Sequence, residues 1–362
     1  MSRKPVLIMA GGTGGHVYPA LAVADYLHQK QIPLFWLGTT QGLEARIVPA
    51  KGYSLLTIDV SGLRGKGFLK WLQAPFVLAL ALMQSMLILF RLKPSVILGM
   101  GGFVSGPGGI AAWLMRIPLC IHEQNAVAGL TNRLLAPLAH TVLQAFPATF
   151  PERIEAKLTG NPVRAEIVQI TAPDQRMQTG MSQKLKLLVL GGSQGARALN
   201  RVIPETLSIL PEAIVLEVRH QTGSQLFSET ETLYKDLKCT AQLEPFIEDM
   251  AAAYAWADLV ICRSGALTVA ELSAAGVASI LIPFPFAVDD HQTANAHFLS
   301  HQGAALLVQE QDLSSDKLCK LLMDFYQSRH RLLSMAQQAR SLAKPQATRE
   351  VAEYCLGAAY AG

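Results

Sequence analysis

Apolar residues along this chain come in short runs that end in glycines and are followed by stretches of helical spacing. Residues 6–27, VLIMAGGTGGHVYPALAVADYL, show the pattern first: an unbroken apolar run, a glycine turn, then an amphipathic repeat. Such a run predicts a strand buried on both faces, and the glycines predict a tight entry into a helix. Residues 187–207, LLVLGGSQGARALNRVIPETL, repeat it, with Gly191 lying half a chain after Gly11. PSVILGMGGFVSGPGGIAAWLM (94–115) is a third copy. PLCIHEQN (118–125), HTVLQAF (140–146), AIVLEVRHQTG (213–223), DLVICRSGALTVAELSAAG (258–276) and VASILIPFP (277–285) continue the alternation. Repeated strand–helix units imply parallel sheets with right-handed crossovers. The doubling implies an α/β chain of two doubly wound domains facing across a cleft. We place the first at 1–163 and the second at 164–340. Residues 341–362 form a helix that packs back on the first domain, and the polar stretch 165–184 is read as the linker.

One apolar segment breaks the rhythm. FLKWLQAPFVLALALMQSMLILFRLKP (68–94) has enough apolar residues to span a bilayer, but Gln73, Pro75 and Gln84 interrupt it and strand signals flank it. A largely buried crossover helix is one reading. Another is a helix resting on a membrane surface, with Arg64, Lys66, Lys70, Arg91 and Lys93 meeting anionic headgroups.

Composition narrows the class. The 362 residues are 50% apolar with a net charge of +4, which suits folded structure nearly throughout. The charge is uneven: residues 1–160 carry 14 basic and 6 acidic side chains, so the first half is basic. That favours an anionic substrate or lipid surface. With no basic-aromatic stripe, it argues against nucleic acid. The five cysteines (Cys120, Cys239, Cys262, Cys319, Cys355) form no CxxC pair, so buried thiols in a reducing compartment are expected, and the N-terminal run reads as a strand and not as a targeting segment.

The candidate chemistry gathers at the glycine turns. GGTGGH, Gly11 to His16, sets backbone amides and a helix start at a strand end, where a phosphate is favoured. It is neither GxGxxG nor a Walker loop. His16 admits two readings, a neutral imidazole acting as base and a helix-start histidine making only local hydrogen bonds. His122 and Glu123, in HEQN, are second base candidates or partners holding the loops. CRSGALTVAE, Cys262 to Glu271, follows a strand and opens a helix. Ser264 is its expected N-cap, and Glu271 either faces a ribose or lies on a solvated helix face. Asp289, Asp290, His291, Gln292 and Asn295 after PFPF suit sugar hydroxyls or an ordinary helix start. The absence of a DxD gives no sign of a metal–diphosphate site, so no metal or cofactor is expected.

Taken in order, GGTGGHVYPALA, GMGGFVSGPGG, HEQNAVAGLTNR, TGNPVR, GGSQGARALN, RSGALTVAEL and PFPFAVDDHQTANA resemble one family over about residues 5 to 345. It is the family of bacterial UDP-N-acetylglucosamine–N-acetylmuramyl-(pentapeptide) pyrophosphoryl-undecaprenol N-acetylglucosamine transferases. The resemblance implies a GT-B fold of two Rossmann-like domains and inverting transfer of GlcNAc from UDP-GlcNAc to the C4 hydroxyl of lipid I, giving lipid II for peptidoglycan and so for cell shape and division. It implies donor contacts at Thr13, Gly14, Gly15, Asn125, Arg164, Ser193, Ile247, Ala266, Leu267, Thr268, Val269, Ala270, Glu271 and Gln292. At Ala270 some relatives carry Ser, a change that a backbone role tolerates. It also implies a lipid-linked MurNAc-pentapeptide acceptor, an anionic membrane surface at the cytoplasmic face of the inner membrane, peripheral attachment, and cell-wall synthesis partner proteins. His16 is then the favoured base, with Glu123 or His122 behind it. Rivals are a GT-B transferase for another acceptor, a UDP-GlcNAc 2-epimerase, and a non-catalytic nucleotide-sugar-binding or membrane scaffold.

Overall fold

A computed structural model describes residues 4–60, 68–178, 184–192 and 194–361. Two compact units appear, Met1–Arg164 with Pro345–Gly362, and Ala165–Lys344. The first holds strands β1 (Val6–Met9), β2 (Leu34–Gly38), β3 (Leu55–Thr57), β4 (Val96–Gly99), β5 (Leu119–Glu123), β6 (Thr141–Gln144) and β7 (Lys157–Leu158), in spatial order 3-2-1-4-5-6-7. The second holds β8 (Leu185–Leu190), β9 (Leu216–Gln221), β10 (Gln242–Glu244), β11 (Leu259–Cys262), β12 (Ala278–Leu281) and β13 (Ala305–Leu307), in order 10-9-8-11-12-13. Every pairing in both sheets is parallel.

The apolar runs explain the layers. Along β1, Val6 and Ile8 enter one core with Val17, Ala20 and Leu98, while Leu7 and Met9 enter another with Ala81, Leu89 and Ile97. Both sheet faces are thus covered by helices, which is why these strands read as continuous and not alternating. The helix Ala347–Ala361 completes the first unit, placing Val351, Ala352, Cys355 and Ala358 in the core beside the helix Gly14–Gln29.

The helix Phe68–Leu92 joins β3 to β4 of one parallel sheet, so it serves as a crossover. Ala74, Ala81, Ser85 and Leu89 form its buried stripe, at helical spacing, and the helix packs against Ser105–Leu114. Its other face is open: Phe76 is 79% exposed, Met83 63% and Phe90 66%. Residues 74–92 are long and apolar enough to cross a membrane by length and composition. Arg64 and Lys66 lie outside the described residues.

The stretch read as a linker is folded where it is described. Residues Ala165–Val168 and Pro173–Gln178 are short helices of the second unit. Arg176 holds them there, donating to the carbonyls of Ala275 (3.0 Å) and Gly276 (2.7 Å). Polarity misled the sequence reading because one guanidinium caps the end of a neighbouring helix whose carbonyls need donors.

Candidate functional site

In each sheet the strand order reverses once, between β1 and β4 and between β8 and β11. Ligands of open α/β sheets bind outside the strand ends at this switch point. The register aligns those ends, with Met9 opposite Gly99 and Leu190 opposite Cys262. Within each unit the two loops at the switch point therefore leave the sheet side by side.

In the first unit GGTGGH and GMGG are clasped. A Cβ at Gly102 (φ +84°) would stand 2.2 Å from the Gly11 carbonyl oxygen, so only glycine allows the approach. The helix Gly14–Gln29 starts after an extended Thr13 with no side-chain cap, which leaves its first amides to a ligand. Glu44 holds this loop from beneath. Fully buried, its carboxylate accepts from Gly12 N (3.0 Å), Thr39 N (2.9 Å) and Thr39 Oγ1 (2.8 Å). Sequence reasoning missed Glu44, and its only signal is an acidic residue in a helix's first turn.

HEQN ends β5 beside this clasp. His16 Nδ1 lies 2.9 Å from Gln124 Oε1, Gln124 Nε2 lies 3.0 Å from His122 Nδ1, and His122 Nε2 lies 2.9 Å from the Gly160 carbonyl oxygen. His16 is half-buried, and His122 is fully buried. Burial lowers the His122 imidazole to about 4, so it is neutral at physiological pH. Glu123 is 2% exposed. Its Oε1 accepts from Asn125 N (3.0 Å) and Asn125 Nδ2 (3.2 Å), and its Oε2 from Gly129 N (3.1 Å) and Asn132 Nδ2 (2.8 Å). Four donors surround the carboxylate, and through them it shapes the loop that presents Asn125. Arg164 joins the same loops, its guanidinium stacked 5.7 Å over the ring of Tyr18, which packs against Gly14.

In the second unit the loop after β8 is pinned to the end of β9. A Cβ on Gly195 (φ +81°) would lie 2.2 Å from the Thr222 carbonyl oxygen. Ser193 lies outside the described residues. After β11 the helix Ala266–Ala275 begins with Gly265 as N-cap and no side-chain cap, so the amides of Ala266, Leu267 and Thr268 face outward by helix geometry. This corrects the expectation for Ser264. Its hydroxyl instead donates to the Gln292 carbonyl (2.8 Å), and its own carbonyl accepts from Asn295 Nδ2 (3.2 Å), joining two helix starts. Val269 is fully buried, and its neighbour Ala270 is half-buried. Glu271 is buried rather than on a solvated face, and Tyr254 donates to its Oε2 (3.1 Å). Gln292 Oε1 accepts from Phe284 N (3.0 Å), and Ile247 is buried in the segment after β10.

Arg263 organises this region and was not anticipated. It pairs with Glu310, donates to the carbonyls of Ile282 (3.2 Å) and Pro283 (3.1 Å), and covers the Phe284 ring at 5.4 Å. Beyond it Asp289 (φ 52°) and Asp290 (φ 48°) both adopt left-handed backbone conformations as the chain turns into the helix His291–Ser300. Among the described residues no group of three or more metal-ligating side chains occurs.

Two family profiles match this pair of units. The glycosyltransferase family 28 N-terminal domain covers residues 6–144 and the family 28 C-terminal domain residues 186–351. The chain is thus a glycosyltransferase with the GT-B fold. A protein of Nitrosococcus oceani named UDP-N-acetylglucosamine–N-acetylmuramyl-(pentapeptide) pyrophosphoryl-undecaprenol N-acetylglucosamine transferase is 54% identical, over 97% of this chain and 98% of that one. One of the same name from Marinobacter nauticus is 52% identical, over 99% and 98%. The crystal structure of Acinetobacter baumannii MurG superposes with a TM-score of 0.84 at 42% identity, covering 98% of this chain and 99% of that one. The chain belongs to this family of N-acetylglucosamine transferases. A Neisseria meningitidis UDP-GlcNAc 2-epimerase bound to UDP-GlcNAc shares the fold alone, with a TM-score of 0.68 at 14% identity over 98% of this chain and 100% of that one.

Proposed function

We propose that the chain transfers N-acetylglucosamine from UDP-GlcNAc to the C4 hydroxyl of undecaprenyl-diphospho-MurNAc-pentapeptide, with inversion, giving lipid II and UDP. Family membership over nearly the full length is the observation that carries this reading. Inversion needs a single in-line displacement. His16 takes the hydroxyl proton, the oxygen bonds to the anomeric carbon, and the bond from that carbon to the UDP oxygen breaks.

The second unit suits the donor. Negative charge developing on UDP meets the outward amides of Ala266, Leu267 and Thr268 and the dipole of their helix, with Ser193 and Arg164 as further donors. Glu271, oriented by Tyr254, holds the ribose, and the backbone at Ile247 reads the uracil edge. Gln292 and Asn125 read the GlcNAc hydroxyls, while Thr13, Gly14 and Gly15 contribute the open helix start of the first unit. Glu123 and His122, buried and hydrogen-bonded, position these groups and do not take the proton themselves.

The exposed apolar face of residues 74–92 rests on the cytoplasmic face of the inner membrane, where a lipid-linked acceptor resides. The decisive assay supplies labelled UDP-GlcNAc with a lipid I analogue. One UDP released per β-linked disaccharide is the expected result. UDP-ManNAc from donor alone, or no acceptor-dependent UDP release, overturns the proposal.

A further inference from the structure

The short chain of hydrogen bonds behind His16 has a direction that its chemistry fixes. We infer that Gln124 is a positioning residue that locks His16 in the tautomer carrying hydrogen on Nδ1, so that Nε2 presents the lone pair. The inference rests on the reading of His16 as the base.

The direction follows from groups that can only accept. Gln124 Nε2 lies 3.2 Å from the His122 carbonyl oxygen and 3.0 Å from His122 Nδ1. A backbone carbonyl cannot donate, so the amide nitrogen must sit there with its hydrogens toward both. At the far end His122 Nε2 faces the Gly160 carbonyl at 2.9 Å and must donate to it. In a neutral imidazole the other nitrogen, Nδ1, is then an acceptor, matching the amide hydrogen that Gln124 offers. Both constraints turn Gln124 Oε1 toward His16. That oxygen is acceptor-only, so His16 Nδ1, 2.9 Å away, carries the hydrogen. Among the described residues no protein group bonds Nε2.

The ring's position is fixed separately. A Cβ at Gly101 would lie 2.8 Å from His16 Nδ1 and 2.9 Å from its Cε1, so the imidazole fills the space of a missing side chain. Gln124 is 1% exposed and cannot swing away to water. An amide in this place differs from a carboxylate: it orients the ring and accepts its hydrogen without drawing the proton toward itself. The proton gained at Nε2 therefore stays on His16 until solvent or product removes it.

The test uses the full chain with histidines labelled by nitrogen-15. Long-range proton–nitrogen correlation spectra, with His16 assigned by its loss in His16→Gln, report which ring nitrogen is protonated above the titration range. Wild type should show hydrogen on Nδ1. Gln124→Met should lose that preference and lower kcat by roughly 10²-fold, as expected for a misoriented group, with the KM for UDP-GlcNAc held within about twofold. Hydrogen on Nε2 in the wild type overturns the inference, and this measurement needs no variant to fold. An unchanged tautomer in folded Gln124→Met also overturns it. A switched tautomer with unchanged kcat upholds the positioning role and removes His16 from the chemistry, which separates the two claims.

Discussion

Glu123 is where positioning and proton transfer can be told apart. Replacing it with glutamine keeps one carbonyl oxygen and sets an NH2 group against two N–H donors, either Asn125 N and Nδ2 or Gly129 N and Asn132 Nδ2. Two charge-assisted bonds are lost in a site that is 2% exposed to water. At about 1.5–3 kcal/mol each, less some relaxation, the first unit should lose about 3–5 kcal/mol. For a unit of this size that lowers its unfolding midpoint by roughly 10 °C. Scanning calorimetry of Glu123→Gln measures the shift, and turnover of the folded fraction is read beside it. A midpoint within about 2 °C of wild type would refute the structural argument. Unchanged stability with turnover reduced on the order of 10³-fold would make Glu123 the base instead.

Other consequences follow from groups elsewhere in the fold. Burial lowers His122 to about 4 and His220 to about 3, both below the ordinary value of 6.5. The unfolded chain therefore binds protons that the native state refuses between pH 6.5 and about 4, and stability falls with acidification across that window. By pH 4.5 each unit should lose about 2–3 kcal/mol, read by urea titration at several pH values, and His220→Gln should flatten the slope for the second unit alone. Arg263→Ala removes the clamp on Ile282, Pro283 and Glu310. It should raise the KM for UDP-GlcNAc several-fold, and an unchanged KM would separate this loop from the donor site. Replacing Phe76 and Phe90 together with serine should weaken binding to phosphatidylglycerol vesicles on the order of tenfold while leaving the melting midpoint unchanged. Undiminished sedimentation with vesicles would move the contact elsewhere.

Much of this architecture is visible in the letters because parallel strands buried on both faces are mostly apolar, and the tight turns at the switch points use glycine. VLIMAGG and LLVLGGS announce two sheets and their switch points directly. Long-range partners are harder to see. Glu44 looks like any acidic helix start, yet it is fully buried under Gly12. Gln124 looks like a spacer between His122 and Asn125, and its role depends on His16, 108 residues away. Ser264 reads as a cap because serine often is one. The chain instead turns one residue later, at Gly265, and spends the hydroxyl on Gln292. Arg176 converted an apparent linker into packed structure by a single fork of hydrogen bonds. In each case the missing information is which distant carbonyl or amide requires a partner, and local periodicity does not encode it.

Single-turnover transfer by His16→Ala, with UDP-GlcNAc saturating and a lipid I analogue as acceptor, tests the account most directly. A base at this position predicts a rate lower by about 10²–10⁴-fold with donor affinity retained. A rate within about threefold of wild type would contradict the assignment of proton transfer to His16.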